Sequence, residues 1–380
     1  VDGNGTWVSI SDSLVPFGTL GSTALMCVES IAVDPSTANR LYMAVGNPQV
    51  PSSPRGIYVS DNAGTDWSFV DTSDTFVIQG NHGSSRAKGE RLAVDPNDPN
   101  TFWYGSTKSG LKKFVKSGGV WSSTQISSSS VPYGATNTGV TFVVCDPNGG
   151  NTILYAGVYD DTDGGVYKST NGGTTWSKVA GDALKEPRRA QISSNGTLYV
   201  TGGTDGVAKL VRNGTLSLMS ALPSTTTNPA RSVNYHGVAV DPNDASGNTV
   251  YVAEANNKDR NSIILRSDDG GVTWANQLSI NQDREEPDGS KSLTGYWFGS
   301  TASLMVNPAN SDELWLSDFF GVIRTNNAQD IGTSPGAVWK TLQNGQEETV
   351  VLDLKSPPSG GNLLTGLADV GGYLDRKSTV

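Results

Sequence analysis

The 380 residues include only two histidines and two cysteines, and charged side chains make up just 17% of the chain. With so few imidazoles and thiols there is no HExxH helix and no CxxC pair, and neither a P-loop nor a dinucleotide fingerprint occurs. No metal and no cofactor is therefore expected. Neither His82 nor His236 lies near a nucleophile-elbow sequence, which argues against Ser-His-Asp catalysis. Cys27 and Cys145 fall in or beside predicted strands of different repeats, where two buried thiols are a simpler reading than a disulfide. Positive side chains do not cluster, and the net charge is −10 with a pI of about 4.7. Phosphate contacts need a basic face, so nucleic acid is excluded as a partner. No apolar run approaches the roughly 18 residues of a membrane span, so no membrane partner is expected.

What the chain has in abundance is a repeat. Seven times a short apolar strand runs into a turn and then a second apolar strand. The best copies are IAVDPSTANRLYMAV (31–45), LAVDPNDPNTFWYGS (92–106) and VAVDPNDASGNTVYVAE (238–254). The turns fall at Asp34, Asp95, Asp146, Ser194, Asp241, Asn307 and Pro357, spaced 47–66 residues apart. Units of that length built from short strands bury their faces only by stacking on one another. One repeat family spans the chain, so residues 1–380 are expected to form a single all-β domain, a seven-bladed β-propeller.

Hairpins of the Asp-box pattern follow in SDNAGTDW (60–67), STNGGTTW (169–176) and SDDGGVTW (267–274). The acid or amide caps the turn, glycine supplies the positive φ and tryptophan wedges between sheets, so these are scaffold rather than chemistry. Outer strands are marked by Trp7, Trp67, Trp121, Trp176, Leu216, Trp274 and Trp339. The first marker lacks inner strands and the last inner strands (350–374) lack an outer one. Pairing of the two ends is expected to complete the last blade from about 344–380 plus 1–12 and close the ring.

Five residues ahead of the turns stand Glu29, Glu90, Thr141, Arg189, His236 and Ala302, and Glu347 and Glu348 precede the last copy. Such a ring is either a polar funnel for a ligand or a self-satisfied network around a wet channel. Flat apolar faces stack on sugar rings, and Tyr296, Trp297 and Phe298 form a run outside the strand pattern; Tyr235 and Tyr373 lie near other predicted loops. The residues leave carboxylate-driven hydrolysis and non-catalytic carbohydrate binding both open. Asn4, Asn195 and Asn213 begin Asn-Gly-Thr sequons, glycan acceptors if the protein is secreted, as expected here.

GTWVSISDSL, VESIAVDP, GERLAVDPNDPN, the Asp boxes and above all EETVVLDLKSPPSGGNLLTGLADVGGY resemble glycoside hydrolase family seventy-four, in order along essentially the whole chain. The resemblance implies two seven-bladed propellers facing each other across a polysaccharide cleft, this chain corresponding to the N-terminal propeller region. It implies xyloglucanase-like, inverting cleavage of a β-1,4-glucan backbone by two carboxylates about 6.5–9.5 Å apart. Asp369 of LADVGGY matches the family's general acid. The family's base lies in a similar motif upstream of the strand matching Trp7, and Glu29, Glu90 and Glu348 are the alternative partner carboxylates. Tyr296, Trp297, His236, Tyr235, Arg189 and Tyr373 are the expected substrate contacts.

Overall fold

The computed structural model describes residues 28–37, 39–46, 55–71, 78, 88–134, 138–220, 222–223, 233–254, 264–277, 301, 303–317, 322–334 and 336–341, with the backbone of three further strands between 351 and 374. The chain divides into two compact units, Ser9–Thr341 and a smaller one made of Val1–Val8 with Leu342–Val380.

Six four-stranded antiparallel sheets make up the described part of the larger unit, each from four consecutive strands paired in chain order. The first sheet holds β1 (Val28–Val33), β2 (Leu41–Val45), β3 (Gly56–Ser60) and β4 (Ser68–Asp71). The second holds β5 (Leu92–Val94), β6 (Thr101–Ser106), β7 (Gly110–Ser117) and β8 (Val120–Gln125). The third holds β9 (Gly139–Asp146), β10 (Ile153–Tyr159), β11 (Gly165–Ser169) and β12 (Ser177–Lys178). The fourth holds β13 (Arg189–Ile192), β14 (Leu198–Thr201), β15 (Val207–Leu210) and β16 (Leu216–Leu218). The fifth holds β17 (Tyr235–Val240), β18 (Val250–Glu254), β19 (Ile264–Ser267) and β20 (Ala275–Gln277). The sixth holds β21 (Ser303–Asn307), β22 (Asn310–Ser317), β23 (Val322–Thr325) and β24 (Trp339–Thr341). The smaller unit contains a three-stranded sheet, β25 (Val351–Lys355), β26 (Leu364–Leu367) and β27 (Gly371–Leu374). In each of the six sheets the expected turn residue falls at the junction of the first and second strands, with Asp146 and Asn307 closing β9 and β21, and each described outer-strand marker lies in or next to a fourth strand. Trp7 lies outside the described residues.

Alternation along the strands sends successive side chains to opposite neighbours. On β6, Phe102 and Tyr104 enter a core shared with the first sheet, while Trp103 between them enters one shared with the third. On β18, Val250 and Val252 face the fourth sheet's core, and Tyr251 and Ala253 face the sixth's. Both faces of a sheet are thus covered, which is why β6, β17 and β18 are buried along their whole length. The outer strands β8 and β12 stay largely exposed. Phe102 stacks on Phe114 with centroids 4.6 Å apart, and Trp121 meets Phe102 edge-on at 5.2 Å.

The Asp boxes behave as scaffold. Ser169 Oγ accepts the Gly173 N–H (3.0 Å), Asn171 Oδ1 accepts the Thr175 N–H (2.9 Å), and Trp176 Nε1 donates to the Gly173 carbonyl (3.0 Å). The hairpins at Ser60 and Ser267 repeat the first two contacts. Gly64, Gly173 and Gly271 sit at φ between +82° and +88°, the left-handed region.

The repeated turn acid has a different role: it hooks the next sheet. Asp95 accepts from Thr152, Asp146 takes Arg212 on both oxygens (2.7 and 2.7 Å), and Asp241 accepts from Ser311 (3.0 Å). Asn97 donates to the Pro147 carbonyl (2.8 Å), and Asn243 donates to that of Pro308 (3.2 Å). These acids are buried, and each also accepts the N–H two residues on within its own turn, from Asn97 (2.9 Å), Asn148 (3.2 Å) and Asn243 (2.9 Å).

Candidate functional site

The upstream ends of the first strands bring the expected polar residues together, in three distinct settings. Glu29 on β1 is buried, its side chain 2% exposed, and is held by Arg91, also 2% exposed, and by the Tyr104 hydroxyl. A bulge between Val28 and Ser30 sets its direction, and Ser30 Oγ accepts the Arg91 and Leu92 N–H groups (3.2 Å each). Burial, followed by the Glu29 charge, pushes the Tyr104 phenol well above its ordinary pKa, so it stays a donor.

Glu90, one residue ahead of Arg91, points elsewhere. Its side chain is 47% exposed, and its Oε1 accepts from Arg189 Nη1 (2.8 Å) and Ser303 Oγ (3.3 Å). The backbone is pinned as well: Val143 N–H donates to the Glu90 carbonyl (2.8 Å), and Gly89 N–H donates to that of Arg188 (3.1 Å). Gly89 (φ +147°) lies against Arg189, where a Cβ would stand 3.3 Å from the guanidinium. Burial pushes Arg189 down from the usual arginine range, and the Glu90 charge opposes that shift.

His236 on β17 is buried between Arg188 and the Thr301 carbonyl. A guanidinium only donates, so Nε2 accepts from Arg188 and Nδ1 carries the proton, donating to Thr301 at 3.0 Å. Arg188 also grips Glu186 (2.9 Å), which faces Lys88 at 3.6 Å. Lys88 stands 4.0 Å over the Tyr159 ring. Burial, then the Arg188 charge, lowers His236 from 6.5 to about 4.

A histidine kept neutral in the fold but basic when unfolded binds more protons in the unfolded state between those two values. Its stabilising effect is therefore complete above about pH 6.5 and is lost as pH falls toward about 4. His236→Gln is expected to narrow the stability gap to wild type by about 3 kcal/mol between about pH 7 and about pH 4. Denaturant unfolding of both proteins at the two pH values checks it, and a gap that stays constant refutes it.

No protein-family model matches the chain. A xyloglucanase of Paenibacillus sp is 30% identical over 402 residues, covering 91% of this chain and 37% of that protein. A probable oligoxyloglucan-reducing end-specific xyloglucanase of Neosartorya fischeri is 27% identical, over 97% of this chain and 52% of its own length. The crystal structure of the GH74 enzyme of Niastella koreensis aligns with a TM-score of 0.78 at 30% identity, over 92% of this chain and 52% of that one. These matches support assignment of the chain to glycoside hydrolase family 74. It spans about half or less of the length of these relatives.

In this chain the sequence-derived site residues meet different fates. Glu29, Glu90, Arg189 and His236 converge on the upstream strand ends as described. Tyr235 is buried, 6% exposed, within the core between the fourth and fifth sheets; it presents no face for stacking. Asp369, Glu348, Tyr296, Trp297 and Asn4 lie outside the described residues, and Tyr373 falls on β27, where only the backbone is described. Asn195 donates from Nδ2 to the Ser246 carbonyl, whereas Asn213, at φ +66°, is exposed and accepts from Lys168 (3.1 Å). Cys145 is a free thiol on β9.

Residue-by-residue reading missed Lys88, Arg91, Tyr104, Glu186 and Arg188. It also missed Gln191, which accepts the Val240 N–H (3.2 Å) and donates to the Leu304 carbonyl (3.1 Å), tying β13 to β17 and β21. A signal was present. KGER (88–91) and KEPRR (185–189) are dense charge runs in a chain poor in charge; the first directly precedes β5 and the second runs into the first residue of β13.

Proposed function

We propose that this family 74 chain acts in hydrolysis of the β-1,4-glucan backbone of xyloglucan, with Asp369 as one of two catalytic carboxylates in an inverting mechanism. The observation that carries this reading is the 30% identity to a xyloglucanase over 91% of the chain. The relatives favour hydrolysis over the binding-only alternative. A seven-bladed ring, its last blade drawn from about 344–380 plus 1–12, is the proposed scaffold. A second propeller facing it, in the same protein or another chain, is the proposed partner that completes the cleft. A polymer substrate is met outside the cell, so secretion belongs to the proposal. Reducing ends released from xyloglucan, with unsubstituted β-1,4-glucan and xylan as comparison polymers, test it. Release from xyloglucan is the expected result; a protein that cleaves none of the three polymers ends the hydrolase reading.

A further inference from the structure

We infer that Glu90 is a sugar-binding carboxylate, held by Arg189 and Ser303 so that its second oxygen accepts hydroxyl groups of a neutral pyranose. The inference rests on the proposed hydrolase reading for its choice of substrate, and on geometry for the rest. Two carboxylates occupy equivalent positions, five residues before their turns, yet only one is open. Glu29 is enclosed, with Arg91 on one oxygen and Tyr104 on the other. Glu90 is half exposed, and its contacts with Arg189 and Ser303 both fall on Oε1; Oε2 meets no protein donor among the described residues.

The brace on Glu90 is the telling part. An exposed glutamate ordinarily moves freely, because an isolated surface ion pair is worth little against side-chain entropy. Here the guanidinium is 12% exposed, is wedged against Gly89 and comes from the fourth sheet, while Ser303 comes from the sixth. The Glu90 backbone is tied to the third sheet through Val143. Four sheets thus converge to aim one carboxylate oxygen at solvent. Aligned in advance, that oxygen accepts a hydroxyl hydrogen bond without a further ordering cost. Its charge makes the bond one of the stronger kinds, and a pyranose supplies such donors on neighbouring carbons. With Oε1 committed to Arg189 and Ser303, the residue serves as a fixed acceptor and not as the proton carrier of the reaction.

The test is Glu90→Gln in the full protein, read by xyloglucan kinetics and by calorimetric binding of a xyloglucan oligosaccharide. Loss of a charged acceptor is expected to raise KM and the oligosaccharide Kd about tenfold, with kcat kept within about threefold. Glu90→Asp, which restores the charge, is expected to recover part of the affinity. A KM and Kd within about twofold of wild type would overturn the inference. So would a kcat drop of about a thousandfold at unchanged KM, which would make Glu90 catalytic. A variant unfolded at the assay temperature would also overturn it, by making the residue structural. The two readings separate cleanly. A wild type that binds the oligosaccharide without cleaving xyloglucan, and loses binding in Glu90→Gln, keeps this inference and sinks the hydrolase. Cleavage with an unaltered KM in the variant does the reverse.

Discussion

Asp369→Asn is expected to cut reducing-end release from xyloglucan by a factor of about a hundred to ten thousand while the polymer still binds. An amide neither ionises nor delivers a proton to the leaving glycosidic oxygen, yet it keeps the shape and much of the hydrogen bonding of the acid. The loss should therefore appear in kcat and leave KM near its wild-type value. Comparing initial rates of the two proteins at saturating xyloglucan checks this, and full activity in the variant removes Asp369 from the mechanism. The structure also narrows the search for its partner. Glu29 is enclosed by Arg91 and Tyr104 and turned from solvent, a poor place from which to activate water. Glu90 is open, and the KM-against-kcat split described above assigns it to binding or to chemistry.

The second large effect concerns stability. Arg91→Ala is expected to lower the unfolding free energy by about 3–5 kcal/mol, because it strips the guanidinium from a carboxylate that stays buried. The paired replacement Arg91→Met with Glu29→Gln takes away both charges and is expected to cost less than Arg91→Ala alone. Denaturant melts of Arg91→Met, of Glu29→Gln and of the double close a cycle. If the double loses the sum of its singles, the two side chains do not act on each other and the pairing is refuted.

Much of the scaffold was legible because its signals are local. A two-residue alternation of apolar side chains, an aspartate at the turn and a tryptophan after Asn-Gly or Asp-Gly each report backbone geometry within a few positions. IAVDPSTANRLYMAV became β1, a turn and β2. The site was legible only as a set of positions. Glu29 and Glu90 hold the same place in their repeats, and nothing near either one says which is enclosed. That is decided by residues 62 and 99 positions away, Arg91 for Glu29 and Arg189 for Glu90. Tyr235 fails as a stacking face for a related reason. It was placed near a loop by pattern, but it begins β17, and the fourth sheet covers it.

The hooked turns give the stack of sheets a direction. At Asp95, Asp146 and Asp241 the acceptor belongs to the earlier sheet and the donor to the later one. Removing the later sheet would strand a buried anion, whereas removing the earlier one would release only a hydroxyl or a guanidinium at the surface. Damage to the array is therefore unequal by end: losses from the downstream side leave carboxylates without their donors, and losses from the upstream side free two hydroxyls and one partly exposed guanidinium that water can solvate. The same polarity suits a chain that emerges from synthesis with its earlier sheets first, since each arriving turn supplies the donor that the preceding carboxylate still lacks.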